Sequence, residues 1–189
     1  MIPWADIEGA LFDWATAATG WTEDGQISFS FNNVGRAQSP FLVINIDGVQ
    51  SVGIDDVVLV ETEDDPPDLV EMIVGQRVIS VSMNAFQVAD RASPGPDAAR
   101  EAIDKIRGSW ELASTTALFD AANIGQLSTG PARDLTALDN GHFEHRWSTD
   151  FEFNAVCIVT DDGNVIGTID SMSGEGRPLD KPIRSFTCP

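Results

Sequence analysis

Four residues in one short stretch are of the types that hold a metal: Asp139, His142, Glu144 and His145. Two imidazoles three positions apart, flanked by carboxylates, offer the nitrogen and oxygen donors that zinc takes, provided the backbone makes them converge. His142 follows the loop dipeptide Asn140–Gly141, whereas His145 opens a strand, so the plainer reading is a polar loop that positions that strand. Nucleophilic chemistry finds less support. There is no G-x-S-x-G elbow and no cysteine in a recognisable local pattern with a histidine. The G-x-G of Gly174 and Gly176 opens no helix, so it does not read as a dinucleotide site. Asp and Glu total 30, which strips carboxylate pairs of diagnostic value for acid–base work, and tyrosine is absent. The expectation is a protein that is not an enzyme and uses no metal or other cofactor. One further polar pair stands out, Arg133–Asp134, on a loop whose path is set by Gly130–Pro131.

Charge is the extreme feature of the composition. Thirty acids against eleven bases leave a net charge of −19 over 189 residues. Such a chain has no spare basic surface with which to neutralise phosphates, which argues against nucleic-acid binding. The plain reading of the acidity is a solvated surface; the sharper one is a surface that repels a polyanion. The length suits one domain with a substantial core. No run of about eighteen apolar residues is present to span a membrane. The start, MIPWADIEGA, has no basic region leading into an apolar one, which reads against a secretory signal. Two cysteines, Cys157 and Cys188, make neither a disulfide framework nor a four-cysteine zinc site, and Cys157 reads as a small buried residue.

The elements that position these residues centre on a long strand. From His145 one side runs His145, Trp147, Thr149, Phe151, Phe153, Ala155, Cys157, Val159, and the other begins Arg146, Ser148, Asp150, Glu152, Asn154. This period of two marks a half-buried strand. At about 3.3 Å per residue it spans roughly 50 Å, several times the usual length, which points to pairing beyond one small domain.

In chain order, Pro3 opens a helix whose Trp4, Ile7, Leu11, Trp14 and Ala18 share a face, and Gly20 stops it. Strands follow at Ile27–Phe31 and Phe41–Ile46. After a turn at Asp47–Gly48 a third is expected at Val52–Thr62, and a fourth at Gln76–Phe86. The segment Glu61–Glu71 between the last two carries six acids and two prolines, and reads as a solvated hairpin tip. A second helix after Ala92–Pro96 places Ala99, Ile103, Ile106, Trp110 and Ala113 on one face, and Ser114 reads as the N-cap of a short third helix. Asp161–Asn164 reads as a hairpin turn that returns Val165–Met172 antiparallel. The expected fold is α+β: a mostly antiparallel β-sheet covered on one face by two amphipathic helices, with one very long strand and a closing hairpin. Residues 1–172 form a single domain on this reading, and residues 173–189 a Gly/Pro-rich tail that orders on contact.

The motif G-x-x-R-D-L at Gly130, Arg133, Asp134 and Leu135 is followed by F-E-x-R-x-x-x-D-x-x-F at Phe143, Glu144, Arg146, Asp150 and Phe153, then by Ile166 and Ile169. In combination these resemble the phage neck or tail terminator (tail-completion) proteins. The resemblance runs from the first tryptophan helix to the closing hairpin. It implies a structural virion protein of the tail and neck, assembled in the host cytoplasm, that forms a homo-oligomeric ring, usually a hexamer, at the head-proximal end of the tail. Such a ring ends tail-tube polymerisation, joins the neck connector (a stopper or adaptor protein), and lets DNA pass without holding it. Expected subunit contacts are Arg133, Asp134, Arg146, Trp147, Asp150 and Glu152. Expected lumen acids are Glu63, Asp64, Asp65 and Asp68, then Asp161 and Asp162. For Arg133 and Asp134 an intramolecular ion pair is the equal alternative. The rival functions are a non-viral module that augments a partner's sheet and a metal-dependent hydrolase using His142 and His145.

Overall fold

The computed structural model describes residues 2–31, 39–61, 68–88, 97–139 and 142–168. The fold is α+β. Helix α1 (Trp4–Thr19) forms from the expected apolar stripe, burying Ile7, Leu11 and Trp14. It ends where Gly20 takes φ 75° and its N–H reaches Thr16 O at 2.9 Å, a left-handed cap that glycine adopts without a Cβ penalty. Strand β1 (Ile27–Phe29) is followed by β2 (Phe41–Glu61) and β3 (Asp68–Val88). Helices α2 (Ala98–Ser109) and α3 (Ala113–Ala121) lead into β4 (Ile124–Thr129), the short β5 (Arg133–Asp134) and β6 (Ala137–Asp139), and β7 (His142–Thr168).

These strands make one sheet in the order β1–β2–β3–β7–β4, with β5 and β6 also paired to β7. The β1–β2 pair is parallel, with Ile27 beside Leu42 and Phe29 beside Ile44. Antiparallel pairs align β4 with β7 from Ile124 opposite Ala155 to Thr129 opposite Phe151, and set Arg133 of β5 opposite Ser148. The chain divides into two compact units, residues 1–58 with 73–159, and residues 59–72 with 160–189.

The first unit holds the three helices and the core. Alternate residues of β3 (Ile79, Val81, Met83, Ala85) and of β7 (Phe151, Phe153, Ala155) are buried in one cluster with Leu11, Trp14, Ile103 and Ile106 from the helices. At its centre, Trp14 meets Phe151 and Phe119 edge-on, at ring separations of 4.9 and 5.2 Å. The indole N–H of Trp14 donates to Ser109 Oγ at 2.9 Å, so burial leaves no orphan donor there. The second unit contains the end of β2, the start of β3 and the end of β7.

Four local expectations need correction. No turn forms at Asp47–Gly48, because β2 runs unbroken to Glu61, and its one left-handed residue is Gly53, at φ 77°. No hairpin closes at Asp161–Asn164; β7 continues through Val165 to Thr168. In both places local turn chemistry yields to strand pairing, which local residue preferences do not display. The stretch from Ile124 to Asp139, expected to be a helix end and a loop, forms three strands against β7. Finally, Ser114 lies inside α3, whose N-cap is Leu112. Trp110, the C-cap of α2, stacks on Phe151 at 4.9 Å. The acidic tip from 62 to 67 and the tail from 173 to 189 lie outside the described residues.

Candidate functional site

Strand β7 and the short strands along it carry the polar residues that the sequence singled out. The chain approaches closely at Gly130, whose N–H donates to Asp150 O at 2.7 Å while Thr149 Oγ1 donates to Gly130 O at 3.2 Å. A Cβ on Gly130 would sit 3.3 Å from Asp150 O, so the glycine permits this approach. It brings Arg133 Nη2 to 2.5 Å from Asp150 Oδ2, with both side chains about half exposed. Arg133 and Asp134 therefore do not pair with each other. Asp134 Oδ1 instead accepts from Thr136 N at 2.8 Å, and hydrogen bonds from the Thr136 side chain and backbone hold its carboxyl below the ordinary aspartate range. Glu152 accepts from Ser128 Oγ at 2.7 Å.

Arg146 and Trp147 are tied within the chain. Arg146 donates to Asn84 Oδ1 at 3.0 Å and lies over the Phe86 ring at 5.1 Å. Trp147 Nε1 donates to Asp97 Oδ2 at 3.0 Å, while Asp97 Oδ1 caps α2 by accepting from Arg100 N at 3.0 Å. The Arg100 guanidinium lies 5.5 Å above the Trp147 ring. Asp97 was not among the candidates, although its place before an amphipathic helix marks it as a cap in sequence.

His145 Nδ1 is 3.8 Å from Asp97 Oδ2, so its charged neighbour is the helix cap. Asp139 and His142 face each other in the β6–β7 register, but their side chains lie outside the described set. Among the described residues no group of three or more His, Cys, Asp or Glu is placed to hold a metal ion.

Sequence reasoning missed the strand segments that jut beyond the core. From Asp47 to Val58 every residue of β2 except Asp55 is exposed, and Val52, Ile54 and Val57 are 48%, 97% and 61% exposed. On β7, Val156, Ile158 and Val159 are exposed, and Cys157 is a half-buried free thiol rather than a core residue; β4 stops opposite Ala155. A signal was present: β2 places apolar residues at both odd and even positions (Val49 and Val57, Val52 and Ile54), a pattern that demands cover on both faces. This segment is anchored to β3 by Asp55 and Arg77, whose paired contacts are 2.7 and 2.6 Å.

Of the proposed lumen acids, Glu63, Asp64 and Asp65 lie outside the described residues. Asp68 opens β3, and Asp161 and Asp162 lie within β7. No helix among the described residues is long and apolar enough to cross a membrane.

Among curated proteins no sequence match was found. The model of the phage neck terminator proteins matches residues 5–178, a span that takes in, Trp4 apart, the three helices and seven strands of the described residues and the Arg133–Asp150 approach. This chain belongs to the phage neck terminator protein family.

Proposed function

We propose that the protein forms a closed homo-oligomeric ring, a hexamer, at the head-proximal end of a phage tail. There it caps the tail tube, joins the neck connector, and lets DNA through. A structural role in the virion tail and neck follows from the family; the ring is our reading. The observation that carries it is the apolar, solvent-facing β2 segment around Ile54, which a lone subunit leaves uncovered. Arg133, Asp134 and Glu152, exposed along β5 and β7, are proposed to contact the neighbouring subunit or the connector. Arg146, Trp147 and Asp150 support them from within.

The same reading assigns the acidity a task. Duplex DNA carries one negative charge per about 1.7 Å of axis. A ring multiplies the −19 of each chain, and repulsion acts over a Debye length of about 8 Å at physiological salt. A lumen lined by Glu63, Asp64, Asp65 and Asp68, with Asp161 and Asp162 second, would guide DNA without holding it. No catalytic activity is proposed.

Negative-stain images and light-scattering mass of the purified protein test the ring: a uniform annulus with a whole-number multiple of the 20.3 kDa subunit is expected. A strictly monomeric protein, with this segment facing solvent in a virion map, overturns it and favours a module that augments a partner's sheet.

A further inference from the structure

Among the described residues the sheet has two open margins, one on each side. On β2, strand β1 accompanies only Leu42 to Ile44, and Ser30 N donates the last bond there, to Ile44 O at 2.9 Å. From Asn45 to Val58 the outer row of β2 backbone groups has no strand beside it among the described residues. On β7, β4 reaches Ala155, and the outer row from Val156 to Val159 is likewise unaccompanied.

Natural edge strands are usually blunted by lysine, proline or inward charge. Residues 45–58 contain no Lys, Arg or Pro, and residues 156–159 contain no charged residue or Pro. Both margins expose apolar side chains on both faces, Val52 and Ile54 alternating with Val57 on β2 and Val156 and Ile158 with Val159 on β7, although β2 also carries Asp47 and Asp56. An edge left this sticky is one that is used.

We infer that the β2 margin of one copy pairs with the β7 margin of the next, joining sheet to sheet head to tail around the ring. This rests on the ring reading above and names its joint. Charge selects this pairing over the two-fold alternatives. Two β2 margins face to face would set two Asp-bearing rows beside each other, with Asp47 against Asp56 in the antiparallel register that centres the segment, and like charges across a strand pair are destabilising. Two β7 margins face to face would leave the longer β2 margin open. The uncharged Val156–Val159 row can accept the Asp-bearing β2 row without that conflict. A head-to-tail contact is also the kind that closes rings, because each copy offers one of each edge.

The test uses complementary blocked variants. Ile54→Lys with Val57→Lys blocks β2, and Val156→Lys with Ile158→Lys blocks β7; all four side chains are exposed, so the subunit fold is retained. Each variant alone should be monomeric by light scattering, and an equimolar mixture should give a heterodimer and nothing larger. A dimer from the β7-blocked variant alone overturns the inference in favour of β2–β2 pairing. Ring mass retained by both variants overturns it while leaving the ring itself standing. An unmodified chain that is monomeric, with the β2 segment facing solvent in a virion map, removes the ring reading first.

A second measurement needs no disruptive change. With Cys188→Ser in place, single cysteines at Val52→Cys, Ile54→Cys and Val57→Cys should include one that oxidises to Cys157 of the neighbour, giving a covalent ladder. Cys157→Ser should abolish that ladder. Persistence without Cys157, or no ladder from any of the three in an intact ring, overturns the inference.

Discussion

Arg77 grips Asp55 with two parallel contacts, Nη1 to Oδ1 at 2.7 Å and Nη2 to Oδ2 at 2.6 Å, directly above Gly75. A Cβ at Gly75 would lie 2.0 Å from Asp55 Oδ1 and 2.5 Å from Arg77 Nη1, so no other residue leaves room for the pair. The glycine, the acid and the base make one joint between β2 and β3, just where β2 loses the cover of the core. Gly75→Ala should therefore break the pair without touching the core. We expect loosening of β2, read as faster amide exchange over residues 49–58, with the helices unchanged.

The same joint sets a pH dependence. The Arg77 hydrogen bond holds the Asp55 carboxyl below its ordinary value of 3.8. A carboxyl lowered in the folded state contributes stability above its unfolded pKa and loses it as pH falls through the folded one. The contribution is thus full at neutral pH and fades below about pH 4. Thermal melts from pH 6 to pH 3 should fall less steeply for Arg77→Met than for the natural chain.

Trp14 is 1% exposed and touches Trp110, Phe119, Phe151 and Phe153. Trp14→Ala should cost about 3–5 kcal/mol through lost burial and a cavity. Trp14→Phe should cost less, but it orphans Ser109 Oγ as an acceptor. Urea titration followed by circular dichroism measures both.

Asp97 holds the start of α2 and the Trp147 indole at once. Asp97→Ala removes a cap worth about 1 kcal/mol and leaves the indole N–H without its partner, for a total of about 1–3 kcal/mol. Asp97→Asn should recover much of this, since its amide oxygen still caps.

The exposed Arg133–Asp150 pair should matter little to the isolated subunit. Arg133→Ala is expected to shift stability by less than about 1 kcal/mol, as exposed pairs do. Any larger effect should appear in ring mass or connector binding. Asp150→Lys with Glu152→Lys should likewise spare the fold and weaken the assembly.

The proposed acidic lumen makes a prediction about DNA. The natural ring should not retard duplex DNA even at low salt. Replacing Glu63, Asp64, Asp65 and Asp68 by Lys should create binding that weakens linearly in log K against log salt, the mark of phosphate neutralisation. Retention by the natural ring would place the acids on the outside.

How far the sequence could be read depended on how local the controlling physics was. Helix α1 was legible from Trp4 to Gly20 because its apolar stripe and its glycine cap both act within a few residues. The buried alternation of Phe151, Phe153 and Ala155 was legible for the same reason. The Asp47–Gly48 and Asp161–Asn164 turns were misread because the decision was made by partner strands far off in sequence. Strand β4, with Gly125 at its start, has little strand propensity of its own and exists through its register with β7. At the site, Arg133 and Asp134 looked like a pair because they are adjacent, yet successive residues of a strand point to opposite faces. The partner of Arg133 had to come from across the sheet, and β7 supplied Asp150. The exposed apolar face of β2 went unread because hydrophobic content signals burial without saying whether a core or a neighbour provides it.

The bare strand around Ile54 and the net charge of −19 act against each other. On the ring reading, free subunits carry an adhesive seam inside a repulsive cloud, so the edges of two that meet by chance align slowly. Added salt thins the cloud, and ring formation should quicken with ionic strength. On the same reading, a tail end that has stopped growing would supply what salt supplies in the tube: a surface that holds several copies side by side long enough for the seam to win. Timing of the last step in tail assembly would then be written in the electrostatics of the free subunit, with no switch required.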